Sequence, residues 1–379
     1  MHILIAPNAF KNSLDATKVA EAISKGLHQS KLSCTTACFP VADGGDGTAG
    51  LLIDYLDGKQ VAVIVHDPLG RKIKSSFGWI EKDKTAIIEL ALASGLQLLK
   101  PEEYNPLITT TFGTGELILE TLNRDATKII LCIGGSATVD GGTGILRALG
   151  IKFCDAKGKE LNDLPRSLLS LSEIDETGYN KGIEKVEIII LCDVENPLLG
   201  TNGAVTVFGP QKGASEKDIQ LLEAGLTKFR DVVLNKTGRD MAAIKHGGAA
   251  GGVAAALHTF FNARLVKGID YFLAITGFEK ELEKADMVIT GEGSIDLQTL
   301  HGKGPYGVAK IAKEHLLPVI GIAGMIPVIT DKALQLYFDR LISINDDVTD
   351  FEKALKDTYD NLERTSRLLG DQLAKAKSK

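Results

Sequence analysis

The stretch "MVITGEGSIDLQTLHGKGPYGVAKIAKEHLLPVIGIAG", from Met287 to Gly324, decides the fold. "MVITGEG" is a short β-branched, apolar run that ends in glycine. "YGVAKIAKEHL" places its apolar residues at helical spacing, and "PVIGIAG" is again a strand. A strand, a helix and a second strand in this order make one βαβ unit, which needs a parallel sheet. The pattern continues downstream as the helix "KALQLYF", the strand "LISIN" and a long amphipathic helix from about Asp350. It is already present at the start of the chain. His2–Ala6 reads as a strand, Asp15–Lys31 as a helix with Asp15 as N-cap, Thr35–Ala42 as a strand and Thr48–Tyr55 as a helix.

The middle of the chain breaks this alternation. "VAVIVHD", "KIKSSFGWIEKD" and "TAIIELAL" are consecutive strand-like runs joined by turns. They are followed by the helix "GELILETLNR", the strand "KIILCIG", the helix "TGILRALG", the strand "EIIILCD" and two helices near 216–236 and 251–262. The expected fold class is therefore α/β. A Rossmann-like, parallel, doubly wound domain is built from both chain ends, residues 1–65 and 280–379, and a mixed α/β domain, 66–279, is inserted between them. A chain of 379 residues is longer than one core usually spans, which also favours two domains.

Composition bounds the function. Apolar residues make up 44% and charged residues 24% of the chain, the balance of a globular protein in water. The net charge of −6 argues against a nucleic-acid surface, which needs a basic face. No apolar run is long enough to span a membrane, and "MHILIAPNAF" lacks the basic start of a signal peptide. The five cysteines form no CxxC pair and suit a reducing compartment, so a cytoplasmic protein without a zinc site is expected.

In open α/β sheets, ligands bind beyond the carboxyl ends of the strands. The polar residues at those exits are Asn8, Lys11 and Ser13 after the first strand, and Asp43, Gly44, Gly45, Asp46 and Thr48 after the second. Ser136, Thr138 and Asp140 follow "KIILCIG", and Asp193, Glu195 and Asn196 follow "EIIILC". Glu292, Ser294 and Asp296 follow "MVITG", with Lys303 just beyond. Each acid alone reads most simply as a turn or cap residue. The "GGAAGGVAAAL" run around Gly251 fits a phosphate cradle and a tight helix contact equally well. It is the recurrence of acid plus glycine at several exits that points to a charged ligand. Carboxylates, two lysines and glycine-rich turns before helices suit phosphoryl transfer, which needs Mg²⁺, donors for phosphate oxygens and a carboxylate to accept a hydroxyl proton. There is no P-loop, no G-x-G-x-x-G after the first strand and no protein-kinase signature.

The blocks "IAPNAFKNSLDA", "PVADGGDGT", "IGGSATVDGGTGILRALG", "CDVENPLLGTNGAVTVFGPQKGA", "GGAAGGVAAAL" and "VITGEGSIDLQTLHGKGP" resemble the glycerate kinase type-1 family, in the same order and over nearly the whole chain. The resemblance implies ATP-dependent phosphorylation of D-glycerate, with the 2-phosphate favoured over the 3-phosphate, and a site in a cleft between two α/β domains. Asn8 stands where the family more often has Asp, and Asp46 where it has Glu. On this reading Asp193 and Asp296 are candidates for base and metal work, with Asp193 and Glu292 as the metal-ligand candidates. Lys11 and Lys303 would neutralise phosphate or the glycerate carboxylate. Asn8, Ser13, Asp43, Gly44, Gly45, Asp46, Thr48, Ser136, Thr138, Asp140, Asn196, Gly251 and Glu292 would line the substrate and nucleotide site. ATP, Mg²⁺ and D-glycerate are the expected ligands of a monomer or homodimer. The alternatives are a kinase of a related small hydroxy acid and a non-catalytic sugar-acid sensor.

Overall fold

The computed structural model describes residues 1–327, 331–345 and 351–377. Its strands run in chain order as β1 (His2–Ile5), β2 (Thr35–Cys38), β3 (Lys59–His66), β4 (Lys72–Ile80), β5 (Thr85–Glu89), β6 (Lys128–Cys132) and β7 (Lys152–Cys154). They continue as β8 (Glu173–Asp175), β9 (Glu187–Leu191), β10 (Arg264–Val266), β11 (Met287–Ser294), β12 (Val319–Met325) and β13 (Arg340–Ser343). The chain divides into two units, 1–43 with 267–379, and 44–266.

The first unit holds a five-stranded sheet in the order β13-β12-β11-β1-β2, with every pairing parallel. The chain leaves β1 toward β2 on one side and returns to lay β11 on the other. That reversal creates a topological switch point between β1 and β11, where doubly wound sheets place their ligands. The central strands β1, β11 and β12 are apolar and largely buried, as helix-covered parallel strands must be, while the edge strands β2 and β13 are partly exposed. The helix Ala16–His28 covers one face. Asp15 caps it by accepting from the Lys18 N–H at 2.8 Å, and Val19, Ala20, Ile23 and Leu27 face the core. The helix Thr358–Lys377 lies against it. At Gly26 a Cβ would come within 2.2 Å of the Glu363 carbonyl, so glycine sets how closely these two helices pack.

The second unit holds a mixed six-stranded sheet in the order β10-β9-β6-β5-β4-β3. Its parallel centre, β5-β6-β9-β10, carries an antiparallel edge made by β4 and β3. A separate antiparallel pair joins β7 and β8.

The seams fall at 43/44 and 266/267, displaced from the expected 65 and 280. The reason is pairing. β3 binds β4 along its whole length, which draws residues 44–65 into the second unit. The second strand is also shorter than expected, ending at Cys38, because Phe39 and Val41 bond to the β1 exit as an irregular extension. The helix expected over "KALQLYF" covers only Lys332–Gln335. The last helical region is two helices, Phe351–Lys356 and Thr358–Lys377, and the expected start at Asp350 lies outside the described residues.

Two glycines of the second unit test the packing. Gly50, in the exposed face of the helix Thr48–Tyr55, has no atom near its missing Cβ, whereas a Cβ on Gly113 would lie 1.8 Å from the His66 carbonyl. Gly50→Ala should therefore raise stability by about 0.5 kcal/mol through helix propensity. Gly113→Ala should lower it by roughly 2 kcal/mol by forcing the helix Phe112–Leu122 off β3. Denaturant melts of the two variants check this, and equal midpoints would contradict it.

Candidate active site

In the first unit the switch point gathers Asn8, Asp43, Glu292, Asp296, Thr299 and Lys303. Asn8 follows β1, and its side-chain amide donates to the Asp43 carboxylate at 2.9 Å. The same Asp43 oxygen accepts the Gly304 N–H at 3.3 Å, which ties it to the start of the helix Gly304–Glu314. At Gly304 a Cβ would lie 2.9 Å from the Asn8 amide, so glycine lets Asn8 sit close to this helix start. Glu292, near the end of β11, is buried. Its Oε1 accepts from the Thr299 hydroxyl at 3.0 Å and lies 3.7 Å from the Lys303 Nζ. Burial pushes the Glu292 carboxyl up to about 7, aided by Asp43 and Asp296 and opposed by Lys303 and Thr299. A buried carboxyl poised near neutrality among other charges is what acid–base and cation-binding sites require.

Asp296 also serves the backbone. It caps the short helix Leu297–His301 by accepting from the Gln298 N–H at 2.8 Å, while Thr299 returns a bond to the Asp296 N–H. Lys11 is exposed, and Ser13 spends its hydroxyl on the Leu355 carbonyl at 2.6 Å.

In the second unit the exits of β5 and β6 meet the loop 44–47. The Gly134 N–H donates to the Gly44 carbonyl at 3.2 Å, and a Cβ on Gly134 would lie 2.7 Å from the Gly45 Cα. Thr48 is fully buried and fixes that loop, donating to the Gly45 carbonyl at 2.7 Å and accepting from the Gly44 N–H. Glu89, at the end of β5, accepts from the Gly47 and Ala49 N–H groups at 3.0 and 3.3 Å. Burial raises its pKa against those two donors. It was absent from the expected set, because an acid inside an apolar strand reads from sequence as a strand end.

Asp140 was expected to line the site. It is instead fully buried and saturated. Its carboxylate accepts from the Thr111 N–H and hydroxyl, and from the Gly142 and Gly144 N–H groups, at 2.8–3.1 Å. It joins the start of the helix Phe112–Leu122 to the start of the helix Thr143–Ala148. Thr138 is likewise fully buried. Gly251 is packed so tightly that a Cβ would lie 2.2 Å from the Thr138 carbonyl, the close-contact reading of "GGAAGG". Asn196 holds its own loop through the Asn202 carbonyl at 2.9 Å. Asp193 is half-buried at the exit of β9.

Sequence reasoning also missed Lys212. It is 3% exposed, and its Nζ donates to the Ser136 hydroxyl and to the Thr138 carbonyl, both at 2.7 Å. Burial lowers its pKa from 10.5 to about 7, with Asp140 acting in the opposite sense. Its only sequence signal was a lysine between turn residues in "GPQKGA".

Asp193 and Glu292, the two metal-ligand candidates, belong to different units. Among the described residues no three of His, Cys, Asp and Glu gather into a metal cluster. Mg²⁺ does not require one, since it is commonly held by one or two carboxylates and by substrate phosphates. The mutual influence of Asp43, Glu292 and Asp296 supplies such carboxylates within the first unit.

The lowered pKa of Lys212 has a stability consequence. From about pH 7 to about pH 10 the unfolded chain holds a proton on this lysine that the folded chain has lost, so this group makes stability rise with pH across that window. The melting temperature of the parent should gain on that of Lys212→Met as pH is raised through it. A difference that stays constant would show that the lysine does not titrate there. Asp140→Ala should cost at least about 3 kcal/mol at every pH in that range, because it strands four buried donors.

Comparison with known proteins agrees with this architecture along the whole chain. The glycerate kinase family model matches residues 3–374. A protein named glycerate 2-kinase from Escherichia coli (strain K12) is 43% identical over 99% of this chain and 98% of its own length. A glycerate kinase from Bacillus subtilis (strain 168) is 42% identical over 100% of this chain and 99% of its own. A crystal structure from Salmonella typhimurium LT2, assigned as glycerate kinase 2, is 40% identical, covers 100% of both chains and superposes with a TM-score of 0.85. The chain belongs to the glycerate kinase family and is a phosphotransferase.

Proposed function

We propose that this enzyme transfers the terminal phosphoryl group of ATP to D-glycerate and that the product is 2-phosphoglycerate. The end-to-end likeness to the Escherichia coli protein named glycerate 2-kinase carries the choice of product. The acid and lysine set at the first unit's switch point carries the choice of chemistry. Glu292 and Asp43 are the residues that would hold Mg²⁺, with Asp193 as the candidate from the second unit. Mg²⁺, when bound, supplies charge neutralisation on the phosphates. Lys303 and Lys11 offer cationic donors for phosphate or carboxylate oxygens. Asp296 and Asp193 are the candidates to accept the proton of the attacking hydroxyl, which needs a carboxylate in hydrogen-bond reach. We place the protein among cytoplasmic enzymes of small molecules, acting as a monomer or homodimer.

The product is read directly by phosphorus NMR. A phosphate on the 2-hydroxyl couples to one neighbouring proton and gives a doublet, whereas a phosphate on the 3-hydroxyl couples to two and gives a triplet. A triplet would overturn the product assignment, and absence of ADP release with D-glycerate would overturn the substrate.

Glu292→Gln and Asp296→Asn test the roles. Glutamine can still accept from Thr299, and asparagine can still cap Gln298, so both variants should fold. Each should lose roughly a hundredfold or more in kcat. The folded pKa of Glu292 lies above its unfolded value, so this group stabilises the protein below about pH 4.5 and loses that contribution as pH rises through about 7. Without added Mg²⁺, the parent should therefore lose melting temperature relative to Glu292→Gln across that rise. Full activity in either variant would remove that residue from the machinery.

A further inference from the structure

The turn Gly134–Ser136 of the second unit is pinned to the segment 94–96. The Gly135 carbonyl accepts from the Leu96 N–H at 2.9 Å, and the Ala137 N–H donates to the Ser94 carbonyl at 2.9 Å. On one flank of this turn, Asp46 packs against the bare Cα of Gly135, where a Cβ would lie 2.3 Å from the Asp46 Oδ1. On the other flank, Ser136 is half-buried and accepts from the buried Lys212. An ammonium group can only donate. While Lys212 is charged, the Ser136 oxygen is occupied as an acceptor and its own O–H must find a partner elsewhere. The turn thus sets a hydroxyl donor, Ser136, next to Gly135, against which the exposed acceptor Asp46 packs.

We propose that this turn is the hydroxy-acid contact of the second unit. Ser136 donates to the substrate carboxylate, Asp46 accepts from a substrate hydroxyl, and Lys212 is a positioning residue that keeps the Ser136 proton free for the ligand. A small hydroxy acid carries a carboxylate and a hydroxyl on adjacent carbons, the complement of this pair. The assignment rests on the proposed glycerate chemistry and specifies which residues recognise that substrate. It also gives the buried lysine a purpose. A lysine that spends its hydrogen bonds on a serine and a backbone carbonyl does not need a charge for packing alone, and an apolar residue would fill the same space at less cost.

The groups around the device fix its response to pH. Asp140, on the turn before the helix Thr143–Ala148, faces Lys212. Asp46 and Glu89 influence each other on the far side of Gly135. When Lys212 loses its proton, the amine can accept from Ser136 and draw the hydroxyl inward. Affinity for the carboxylate then falls as pH rises through about 7.

Steady-state kinetics of the full chain test this with D-glycerate and ATP varied separately. Ser136→Ala and Asp46→Asn should each raise KM for D-glycerate by roughly tenfold to a hundredfold, the worth of a hydrogen bond to a charged group, and leave KM for ATP within about twofold. Ser136→Thr, which keeps the hydroxyl, should restore most of the affinity. The parent KM for D-glycerate should rise between about pH 6 and about pH 9, and in Ser136→Ala it should be flat. Lys212→Met should also be flat, and if that variant does not fold, the Ser136→Ala profile decides alone. An unchanged KM for D-glycerate in Ser136→Ala, an effect confined to ATP, or a parent-like pH profile in that variant would each overturn the proposal. Calorimetric titration with D-glycerate alone separates this from failure of the substrate assignment. Binding by the parent that Ser136→Ala loses upholds the contact even without turnover, and a parent that neither binds nor turns over D-glycerate overturns both.

Discussion

The second unit depends on one buried carboxylate. Asp140 sits with no solvent access and accepts four hydrogen bonds, from Thr111, Gly142 and Gly144. An ionised group in that position is tolerable only because every bond is made with good geometry. The glycines are part of the same constraint. Gly142 adopts φ +74, and on Gly144 a Cβ would lie 2.4 Å from the Thr110 hydroxyl, so no larger residue lets the donors come this close. The arrangement sets where two helices begin, and with them the loop that carries Ser136, Thr138 and the partner of Lys212. Lys212 in turn lies beside Asp140, whose influence offsets part of what burial takes from the lysine's pKa.

The first unit solves a different problem. Its parallel sheet leaves β1 and β11 side by side with their exits unshared by a crossover connection, and Glu292 is drawn into the gap. Burial raises its pKa, while Lys303 and Thr299 pull it back toward ionisation. The balance leaves a group that changes charge near neutrality. The same exit holds Asn8, an amide where the chain could have carried an acid. An amide there donates to Asp43, which an aspartate could not do without a proton. An aspartate at this position would set two carboxylates against each other, whereas the amide makes a hydrogen bond and adds no negative charge near Glu292.

The alternating strands and helices of the chain ends were legible because each has a buried face with a definite period. "MVITGEG" and "PVIGIAG" are continuous apolar runs because parallel strands are covered on both faces. The seams were less legible. Nothing local in residues 44–65 says that β3 pairs with β4, since pairing is a long-range choice that the turn and both strands make together. At the site, sequence located the exits and misjudged some of their occupants. Asp140 and Asp46 look alike as acids next to two glycines. One is saturated by backbone donors, and the other is exposed. What separates them is which N–H groups the next helix aims at them, and that depends on chain far away at Thr111. Lys212 was hidden for the same reason: its burial is set by a loop seventy-odd residues earlier.

The seam between the units gives the acid-rich turn "ADGGDG" its sense. Asp43 is the last residue of the first unit's segment, and Gly44 opens the second. The two acids of one turn therefore serve different neighbourhoods. Asp43 answers to Asn8, Gly304 and the charge on Glu292, whereas Asp46 answers to Gly135 and Glu89. Gly44, at φ +103 and within 3.1 Å of Leu191 were it to carry a Cβ, lets the chain reverse between them without a side chain in the way. Two carboxylates three residues apart would repel if they faced a common point. The turn separates them: Asp43 is held by the Asn8 amide and the Gly304 N–H, whereas Asp46 stays exposed beside Gly135.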